Sequence, residues 1–287
     1  MYQSVIVTGA SSGIGEAIAV RLAQKGFRVF AGARRVANLK TLEGRGAGGV
    51  GGGGITAVEL DVTNEGSIDR ALSRVEAAGG APYALVNCAG VSVTGPIEEL
   101  PLGEWRRQFE TNLFGAVAMV RAVLPAMREA GRGRIVNVSS VQGRVAVPFM
   151  GCYAASKHAL EGASDALRLE AAPFGVKVSL VRPGFIRTHF GDQEQAGLDH
   201  YIREGGPYAS LMKRFKAWHA KGHPNGAAPA DVADAVAHAL LAPRPHARYT
   251  VPKANMATLA MRNLGPAALN DRLLAAATGL GWRRKTS

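Results

Sequence analysis

Short apolar runs rich in β-branched residues alternate along the chain with longer segments of helical periodicity. The apolar runs at residues 5–7, 28–33, 57–60, 84–87, 134–138 and 177–181 are predicted to be strands. The segments 16–25, 65–77, 102–130 and 153–172 place their apolar residues at helical spacing. Strand followed by helix, several times over, predicts an α/β fold with a doubly wound parallel sheet and helices on both faces. We predict a single domain over residues 1–287.

Size and composition narrow the class of protein. The chain has 287 residues, of which 47% are hydrophobic, so it can bury a large core and is not a disordered protein. The longest apolar run, residues 113–120, is far shorter than the ~20 residues that cross a bilayer, and no signal peptide is evident. Two cysteines, Cys88 and Cys152, cannot form a disulfide framework. We therefore expect a cytoplasmic protein without an integral membrane segment.

Positive charge is concentrated at the end of the sequence. The net charge is +12, and residues 244–287 carry eight bases and one acid, or 8 − 1 = +7 of it. These bases are scattered and no aromatic residues interleave them, so we predict no nucleic-acid binding and at most a weak peripheral contact with membranes. Residues 267–280 have an amphipathic pattern and could cover a pocket, join a dimer or rest on a membrane surface. Residues 44–54 include eight glycines and predict a flexible surface loop.

A glycine-rich turn follows the first predicted strand and opens the first helix. It reads Thr8-Gly9-Ala10-Ser11-Ser12-Gly13-Ile14-Gly15. Glycines let the backbone turn sharply and approach a pyrophosphate, and the helix N-terminus supplies free N–H groups and a positive dipole end. The turn therefore predicts a Rossmann-type dinucleotide site rather than an ordinary connection between strand and helix.

The end of the second predicted strand bears on the choice of cofactor. A carboxylate at that position would bind the adenosine ribose and repel a 2′-phosphate. Here Ala33 is followed by Arg34 and Arg35, whose guanidinium groups are suited to bidentate binding of phosphate. We therefore predict NADP(H) rather than NAD(H), the alternative being that both arginines belong to a solvated turn.

Candidate acid–base chemistry lies in Tyr153-Ala154-Ala155-Ser156-Lys157. Residues four apart on a helix share a face, so Tyr153 and Lys157 are expected to project together. A nearby ammonium favours the phenolate and is expected to lower the pKa of Tyr153 from ~10. The tyrosine could then protonate an alkoxide or accept a proton from an alcohol. Packing alone could also explain this spacing.

Taken together, these motifs resemble the classical short-chain dehydrogenase/reductase family. Residues 244–251 resemble the last-strand region of its hydroxysteroid and retinol dehydrogenase-like branch. The resemblance rests on the glycine turn, Asp61-Val62, Asn87-Cys88-Ala89-Gly90, Asn112, Ser140, Tyr153-x-x-x-Lys157 and Pro183-Gly184, which follow the family's order. It extends well over residues 4–188 and loosely beyond. The family usually has a second asparagine where this chain has Cys88, which affects one local hydrogen bond.

The resemblance implies a role for each matching position. Tyr153 would be the proton donor or acceptor, Lys157 would bind the nicotinamide ribose and lower the pKa of Tyr153, and Ser140 would bind the substrate oxygen. Asn112 would anchor a water in a proton relay through Lys157. The remaining cofactor contacts would come from Asp61 and Val62 at the adenine, Asn87, Ala89 and Gly90 on the adenosine side, and Pro183, Gly184, Ile186 and Thr188 at the nicotinamide. The family also implies a homodimer or homotetramer.

The resulting hypothesis is an NADP(H)-dependent oxidoreductase that interconverts a carbonyl and an alcohol. Residues 187–226 would form a lid, and the aromatic and aliphatic residues there (Phe190, Tyr201, Ile202, Tyr208, Leu211, Met212, Phe215 and Trp218) favour a small lipophilic substrate or simply pack against the core. The alternatives are a 3-oxoacyl thioester reductase, for which Lys213, Arg214 and Lys216 could hold a carrier phosphate, a non-catalytic NADP(H)-binding redox sensor, and a basic scaffold.

Three other candidate sites are weaker in the sequence. His219 and His223 have a metal-ligand spacing, but Gly222 and Pro224 should break the helix there and no acid is nearby in the sequence, so we predict no metal site. Asp192, Glu194 and Asp199 are expected in a solvated loop. Cys152 could be a reactive thiol beside Tyr153, although a buried structural cysteine is favoured.

Overall fold

The computed structural model describes residues 3–43, 45 and 53–281. Within these residues a seven-stranded sheet forms the centre of the molecule, and every pairing is parallel. The strands are β1 (Ser4–Thr8), β2 (Arg28–Ala33), β3 (Gly54–Glu59), β4 (Ala84–Asn87), β5 (Gly133–Val138), β6 (Val176–Pro183) and β7 (Arg248–Val251). Their order across the sheet is β3-β2-β1-β4-β5-β6-β7.

Helices cover both faces of this sheet. They are α1 (Gly13–Gln24), α2 (Lys40–Glu43), α3 (Glu65–Gly79), α4 (Leu102–Phe109), α5 (Gly115–Glu129), α6 (Gly151–Ala171), α7 (Phe190–Glu204), α8 (Ala209–Gly222), α9 (Pro229–Leu241), α10 (Asn255–Leu264) and α11 (Ala267–Ala277). The predicted α/β fold with a doubly wound parallel sheet is confirmed. Among the described residues, no helix is both long and apolar enough to cross a bilayer.

The central strands bury side chains on both faces, as strands of a parallel sheet do. In β1, Val5 and Val7 belong to the core beneath α1 and α9, whereas Ile6 belongs to the core beneath α3 and α5. Side chains alternate across a strand, so this short run contributes to both layers. Full burial of each such aliphatic side chain contributes roughly 1.5–3 kcal/mol, which explains why apolar runs locate the strands in the sequence.

The order in which strands are added to the sheet reverses between β1 and β4. Chain order runs outward to β3 on one side and outward to β7 on the other, so the connections after β1 and β4 diverge. A crevice opens at such a switch point, beyond the carboxyl ends of the strands. The fold therefore places the segments after Thr8 and Asn87 on either side of one crevice.

Several sequence-based boundaries are corrected by the structure. Residues 102–129 are helical throughout, as predicted, but a π-helical turn, Glu110–Phe114, lies between the α-helical parts α4 and α5. Gly54 begins β3 rather than ending a loop, and Leu60 lies beyond that strand. Most of the glycine-rich segment 44–54, and the bases Arg283, Arg284 and Lys285, lie outside the described residues.

Charged groups inside the molecule connect the helical layer to the strands at one side of the sheet. The guanidinium of Arg182 in β6 forms a bidentate pair with the carboxylate of Glu161 in α6, and both side chains are buried. Arg248 in β7 pairs with Asp165 in α6. One base of the basic terminal segment, Arg248, is thus held in an ion pair within the chain that stays partly exposed to solvent.

Candidate active site

The glycine-rich turn forms one wall of the crevice. Gly9 has a φ of +67°, and a Cβ there would lie 2.7 Å from the Cα of Ala89, so only glycine lets β1 and the segment after β4 approach so closely. A Cβ on Gly15 would lie 2.2 Å from the carbonyl oxygen of Gly9. Ser12 is the N-cap residue of α1, and its side chain makes no capping hydrogen bond. The first-turn N–H groups of α1 are therefore available to an anion.

Thr8 holds the opposite wall in place, a contact that the sequence did not reveal. Its hydroxyl oxygen accepts hydrogen bonds from the backbone N–H groups of Cys88 and Ala89, both at 3.0 Å. Cys88 takes the place of the expected asparagine, and burial raises the pKa of its thiol to about 12, although the positive charge of Lys157 opposes this. The thiol is therefore neutral and acts as a small apolar filler.

A single cavity of about 690 Å³ occupies the crevice. All but three of the predicted site residues line it: Gly9, Ser11, Ser12, Gly13, Ile14, Gly15, Arg34, Asp61, Val62, Ala89, Gly90, Ser140, Tyr153, Lys157, Pro183, Gly184, Ile186 and Thr188. The structure thus brings together residues from seven segments that are up to about two-thirds of the chain apart.

The three exceptions are Arg35, Asn87 and Asn112. Arg35 is exposed and precedes a short 3₁₀ turn, so only Arg34 of the pair reaches the cavity. The amide of Asn87 is buried between layers, where it donates hydrogen bonds to the carbonyl of Ala116 and to Asn137. The expectation that its side chain lines the adenosine side is not met in this structure, because the side chain of Asn87 is occupied in the core.

Asn112 lies within the π-helical turn, and its side chain connects this turn to the segment after β4 through two hydrogen bonds. Its Oδ1 accepts a hydrogen bond from the N–H of Val91 at 2.9 Å, and its Nδ2 donates to the carbonyl of Val91 at 3.0 Å. A Cβ on Gly90 would lie 3.4 Å from this Oδ1 and 3.8 Å from Nζ of Lys157. The amide and the ammonium therefore flank Gly90 at the cavity wall. Single π turns of this kind often occur at functional sites.

Tyr153 and Lys157 project from the first turns of α6, as their spacing predicts. The Nζ of Lys157 lies 5.8 Å from the centre of the Tyr153 ring and donates a hydrogen bond to the carbonyl of Val138 at 2.9 Å. Ser140, at the end of β5, hydrogen-bonds the Tyr153 side chain and accepts from the N–H of Gln142. The three side chains are adjacent at the cavity wall.

The ionisation of this group differs from the expectation. Burial and the nearby negative charge of Glu194 raise the pKa of Tyr153 above its ordinary value, and the hydrogen bond from Ser140 only partly offsets this. Burial lowers the pKa of Lys157 to about 8, and the negative charge of Glu161 only partly offsets this. The predicted lowering of the Tyr153 pKa by Lys157 is not found in this structure, because the phenol is desolvated.

The region after β6 consists of two helices rather than a loop. Its two ends are held together, because Arg187 donates from its N–H to the carbonyl of Ala227, and Ala227 donates to that of Phe185. Met212 and Phe215 are fully buried against Met150, and most of the aromatic residues of α7 and α8 pack around them. The packing alternative therefore accounts for most of these side chains. Phe190 and Trp218 also line the cavity.

The expected solvated loop with Asp192, Glu194 and Asp199 is wrong, because all three lie on α7. Asp192 is exposed beside His189, and Asp199 pairs with Lys216. Glu194 is buried, and its carboxylate lies 3.2 Å from Nε2 of His219 and 3.2 Å from Nε2 of His223. Helix α8 ends at Gly222, as the sequence predicts, and His223 follows it. The expectation that no acid lies near the histidines is wrong, because Glu194 contacts both of them.

The charges of this group are set by its contacts. Burial opposes ionisation of Glu194, but hydrogen bonds from both histidines and from Ser92 hold its pKa below the ordinary value. Burial lowers the pKa of His223, but the hydrogen bond and charge of Glu194 and the carbonyl of Ile186 raise it overall. These three side chains were missed as a group, because nothing in the sequence places α7 against the end of α8.

The other cysteine is structural in its setting. Cys152 is buried against Val93 and Leu100. Burial raises the pKa of its thiol to about 12, with the charge of Glu104 adding to the rise. A neutral, enclosed thiol is a poor nucleophile, which favours the structural interpretation.

A parallel sheet with a glycine turn at its switch point, facing an adjacent tyrosine, serine and lysine, defines a dinucleotide-fold oxidoreductase. A model of the short chain dehydrogenase family matches residues 3–199. The chain belongs to the short chain dehydrogenase family and is an oxidoreductase.

Relatives and solved structures extend this similarity over nearly the whole chain. The uncharacterized oxidoreductase YbbO of Escherichia coli K12 is 37% identical over 276 residues, which cover 96% of this chain and 94% of YbbO. Human retinol dehydrogenase 8 is 41% identical over 191 residues, covering 66% of this chain and 60% of its own. A metagenomic short-chain oxidoreductase solved with NADP has a TM-score of 0.68 at 31% identity, covering 87% and 96% of the two chains.

Proposed function

We propose that this protein is an NADP(H)-dependent oxidoreductase that interconverts a carbonyl and a primary or secondary alcohol on a lipophilic substrate, with Tyr153 as the acid or base. The observation that carries this proposal is the adjacency of Tyr153, Ser140 and Lys157 at the wall of the cavity that also contains the glycine turn. The same cavity is lined by the first turn of α1, which is suited to an anion, and by the buried phenol of Tyr153.

The residues present fit NADP(H). The close approach at Gly9 and the open first turn of α1 suit the pyrophosphate, and the guanidinium of Arg34 suits an adenosine 2′-phosphate. Asp61, Val62, Ala89 and Gly90 would hold the adenosine half. Pro183, Gly184, Ile186 and Thr188 would hold the nicotinamide half, with Lys157 at its ribose. When bound, NADP(H) supplies or accepts the hydride.

The protein itself orients the substrate oxygen and moves a proton. In reduction, the Tyr153 hydroxyl donates its proton to the carbonyl oxygen as negative charge develops there. The hydroxyl of Ser140 donates a hydrogen bond to the same oxygen, and this bond strengthens with the charge. In oxidation, the deprotonated Tyr153 accepts the alcohol proton, and the adjacent Lys157 ammonium stabilises the phenolate.

Ionisation in the structure favours the acid role. Since the pKa of Tyr153 is raised, the hydroxyl keeps its proton over the neutral range, as a proton donor must. Lys157 has a pKa of about 8, so it carries its positive charge through most of that range.

Part of the cavity wall is apolar, which supports the proposal of a lipophilic substrate. Val145, Val147, Phe185, Phe190 and Trp218 provide apolar surface beside Tyr153. Leu274 of α11 also reaches the cavity, which supports the hypothesis that the amphipathic C-terminal segment covers the pocket. The similarity to retinol dehydrogenase 8 agrees with this substrate class.

The alternative substrate is a 3-oxoacyl thioester. Lys213 and Arg214 lie on the exposed face of α8, whereas Lys216 pairs with Asp199 and is less available for a carrier phosphate. This partial loss of the basic patch makes the thioester the second candidate. A non-catalytic redox sensor would bind NADPH without turnover.

Self-association is proposed on a separate observation. Phe114 and Val117, around the start of α5, and Leu169 on α6 are exposed apolar side chains. They lie on the helices through which the family forms dimers and tetramers, and we propose a homodimer or homotetramer. The proposed location is the cytoplasm.

The first test is turnover of a substrate panel by the unaltered chain and by Tyr153→Phe. Steroid ketones, retinal, aliphatic and aromatic aldehydes and an acetoacetyl thioester would each be assayed with NADPH and with NADH by cofactor absorbance. We expect NADPH-linked turnover of lipophilic carbonyls, and a loss of kcat of about 10²–10⁴-fold in Tyr153→Phe, because the proton donor is removed.

NADPH binding by Tyr153→Phe, measured by fluorescence, should remain. Tyr249→Phe serves as the matched control, since its hydroxyl bonds His238 and the backbone of His246 rather than facing the cavity. Turnover of the thioester alone would favour the alternative substrate. Full activity in Tyr153→Phe would refute the role of the tyrosine.

A further inference from the structure

Three metal-ligating side chains converge in the wall of the cavity, and the catalytic proposal does not use them. They are Glu194 on α7, His219 on α8 and His223 immediately after α8. One ligand atom from each side chain lies within 4.8 Å of the other two. Glu194 and His219 are buried and His223 is partly buried. The group therefore lies within the protein rather than on its surface.

The distances suit a metal ion placed between the three groups. Oε2 of Glu194 lies 3.2 Å from Nε2 of His219 and 3.2 Å from Nε2 of His223. Zinc binds imidazole nitrogen and carboxylate oxygen at about 2.0–2.1 Å, which separates tetrahedral ligand atoms by about 3.3 Å. The two distances from Oε2 of Glu194 to the histidine nitrogens therefore match the spacing of ligand atoms around one small cation.

The second ring nitrogen of His223, Nδ1, determines which tautomer of the imidazole is present. Its Nδ1 lies 3.1 Å from the carbonyl oxygen of Ile186, which can only accept a hydrogen bond, so Nδ1 carries a proton. In the neutral ring Nε2 then holds a lone pair directed at the carboxylate of Glu194. That contact is repulsive unless Nε2 also gains a proton or a cation lies between the two atoms.

Glu194 and His219 are also oriented by hydrogen bonds to the atoms that face away from the proposed metal position. Ser92 donates a hydrogen bond at 2.9 Å to Oε1 of Glu194, which leaves Oε2 free to face the histidines. The side-chain amide of Gln195 lies 2.7 Å from Nδ1 of His219, and Gln195 Oε1 has no hydrogen-bond partner. Turning the amide by half a turn lets Oε1 accept the Nδ1–H of His219. Hydrogen bonds of this kind, from the far side of each ligand, orient metal-binding histidines and carboxylates.

We propose that Glu194, His219 and His223 form a binding site for a divalent transition metal of the zinc type. Two histidines and one glutamate are a ligand set that zinc uses when a fourth position stays open. All three side chains line the cavity that contains Tyr153, so the open position faces that space. The ion joins α7 to the end of α8 and fixes both helices beside the catalytic tyrosine.

The alternative to a metal is an ion pair held by protons alone. An imidazolium at His223 beside the Glu194 carboxylate would satisfy the same contacts without any ion. A measurement of metal binding distinguishes the metal site from the ion pair, because only the metal site binds a cation with defined stoichiometry. It uses neither substrate nor NADPH, so its failure would leave the proposed oxidoreductase activity untouched.

The experiment titrates the full chain, prepared without a polyhistidine tag and freed of metal, with CoCl₂ and then with ZnCl₂. Visible absorption of Co²⁺ reports a tetrahedral or five-coordinate site, and displacement by Zn²⁺ gives the zinc affinity. We expect one equivalent of Co²⁺ with visible bands, and displacement of the ion by Zn²⁺.

Variants assign the ligands. Glu194→Gln and His223→Gln should weaken Co²⁺ binding by at least about 100-fold, and Ser92→Ala by about 10-fold through the orientation of Glu194. His238→Gln is the matched control, because His238 also lies beside a second histidine, His246, but hydrogen-bonds Tyr249. Circular dichroism establishes that each variant is folded.

Two results would overturn the proposal. One is that the unaltered chain retains no Co²⁺ or Zn²⁺ after removal of the excess ion. The other is that folded Glu194→Gln and His223→Gln bind Co²⁺ as tightly as the unaltered chain. Ser92→Ala keeps all three ligands, so it remains informative if a ligand variant does not fold.

Discussion

Two arginines stand side by side at the end of β2, and only one of them faces the cavity. In the sequence Arg34 and Arg35 are equivalent candidates for a phosphate contact. Arg34 lines the cavity, whereas Arg35 starts the 3₁₀ turn Val36–Leu39 and points elsewhere. Arg34 occupies a bend just after β2 and Arg35 is the N-cap residue of the 3₁₀ turn, so the two residues have different backbone environments.

This difference leads to a prediction about cofactor preference. Arg34→Asp should raise the KM for NADPH by roughly 10–100-fold, since it removes a charge-assisted hydrogen bond of about 1.5–3 kcal/mol and adds a like charge near the phosphate. The KM for NADH should fall or stay constant. Steady-state kinetics with both cofactors measures the two effects.

Arg35→Asp is the control for this experiment, because it changes net charge by the same amount at the neighbouring position. We expect it to have a much smaller effect on the KM for NADPH. An equal effect of both variants would mean that the general field of the strand end, rather than a direct contact of Arg34, selects the cofactor.

At the scale of elements, the π-helical turn decides where Asn112 points. One extra residue in the helical turn separates α4 from α5 and directs the Asn112 amide at both backbone groups of Val91. Ser156 of α6 receives a further hydrogen bond at 3.2 Å. The turn thereby connects the segment after β4 to the helix that carries Tyr153. Periodicity predicted a continuous helix, because a single π turn barely changes the apolar spacing.

We expect Asn112→Ala to lower the free energy of unfolding by about 1–3 kcal/mol. The substitution leaves the partly buried N–H of Val91 without its partner, which costs about 1–3 kcal/mol, whereas the carbonyl of Val91 keeps its hydrogen bond from Gln108. Urea unfolding, followed by circular dichroism, measures the change. Asn225→Ala is the control, since the exposed Asn225 amide makes one hydrogen bond, to the carbonyl of Lys221. Equal losses for the two variants would contradict this account of Asn112.

At the scale of the whole molecule, burial of Lys157 is a cost to stability that depends on pH. Its pKa is lowered from 10.5 to about 8, so the folded state loses the proton first as pH rises. Between pH 8 and 10.5 the unfolded state binds more protons than the folded state. The contribution of Lys157 to the free energy of unfolding therefore rises with pH between 8 and 10.5. Below pH 8 the full destabilisation from its burial is present.

The measurable consequence is the difference between the unaltered chain and Lys157→Met. We expect Lys157→Met to gain stability relative to the unaltered chain at pH 7, and the gain to shrink by ~3 kcal/mol as pH rises from about 8 to 10.5. Urea unfolding at several pH values without NADP(H) measures it. Lys213→Met, on the exposed face of α8, is the control for loss of one charge. A pH-independent difference for Lys157→Met would show that its burial does not act in this way.

Local patterns in the sequence determined much of the fold and of the nucleotide site. Val5, Ile6 and Val7 mark a strand buried on both faces, and the glycines that follow are required by a turn with φ of +67° at Gly9. The four-residue spacing of Tyr153 and Lys157 places them on one face of α6 whatever the surroundings are. Such features depend on the backbone geometry of a few neighbouring residues.

Tertiary structure alone decided the ionisation of Tyr153 and the grouping of Glu194 with His219 and His223. The pKa of a phenol depends on how much water reaches it, and burial of Tyr153 outweighs any effect of the lysine four residues away. Likewise, Glu194 meets the two histidines because α7 packs on α8, a contact between residues more than twenty positions apart. Desolvation and contacts between helices arise only when the whole chain is folded, so no local pattern reports them.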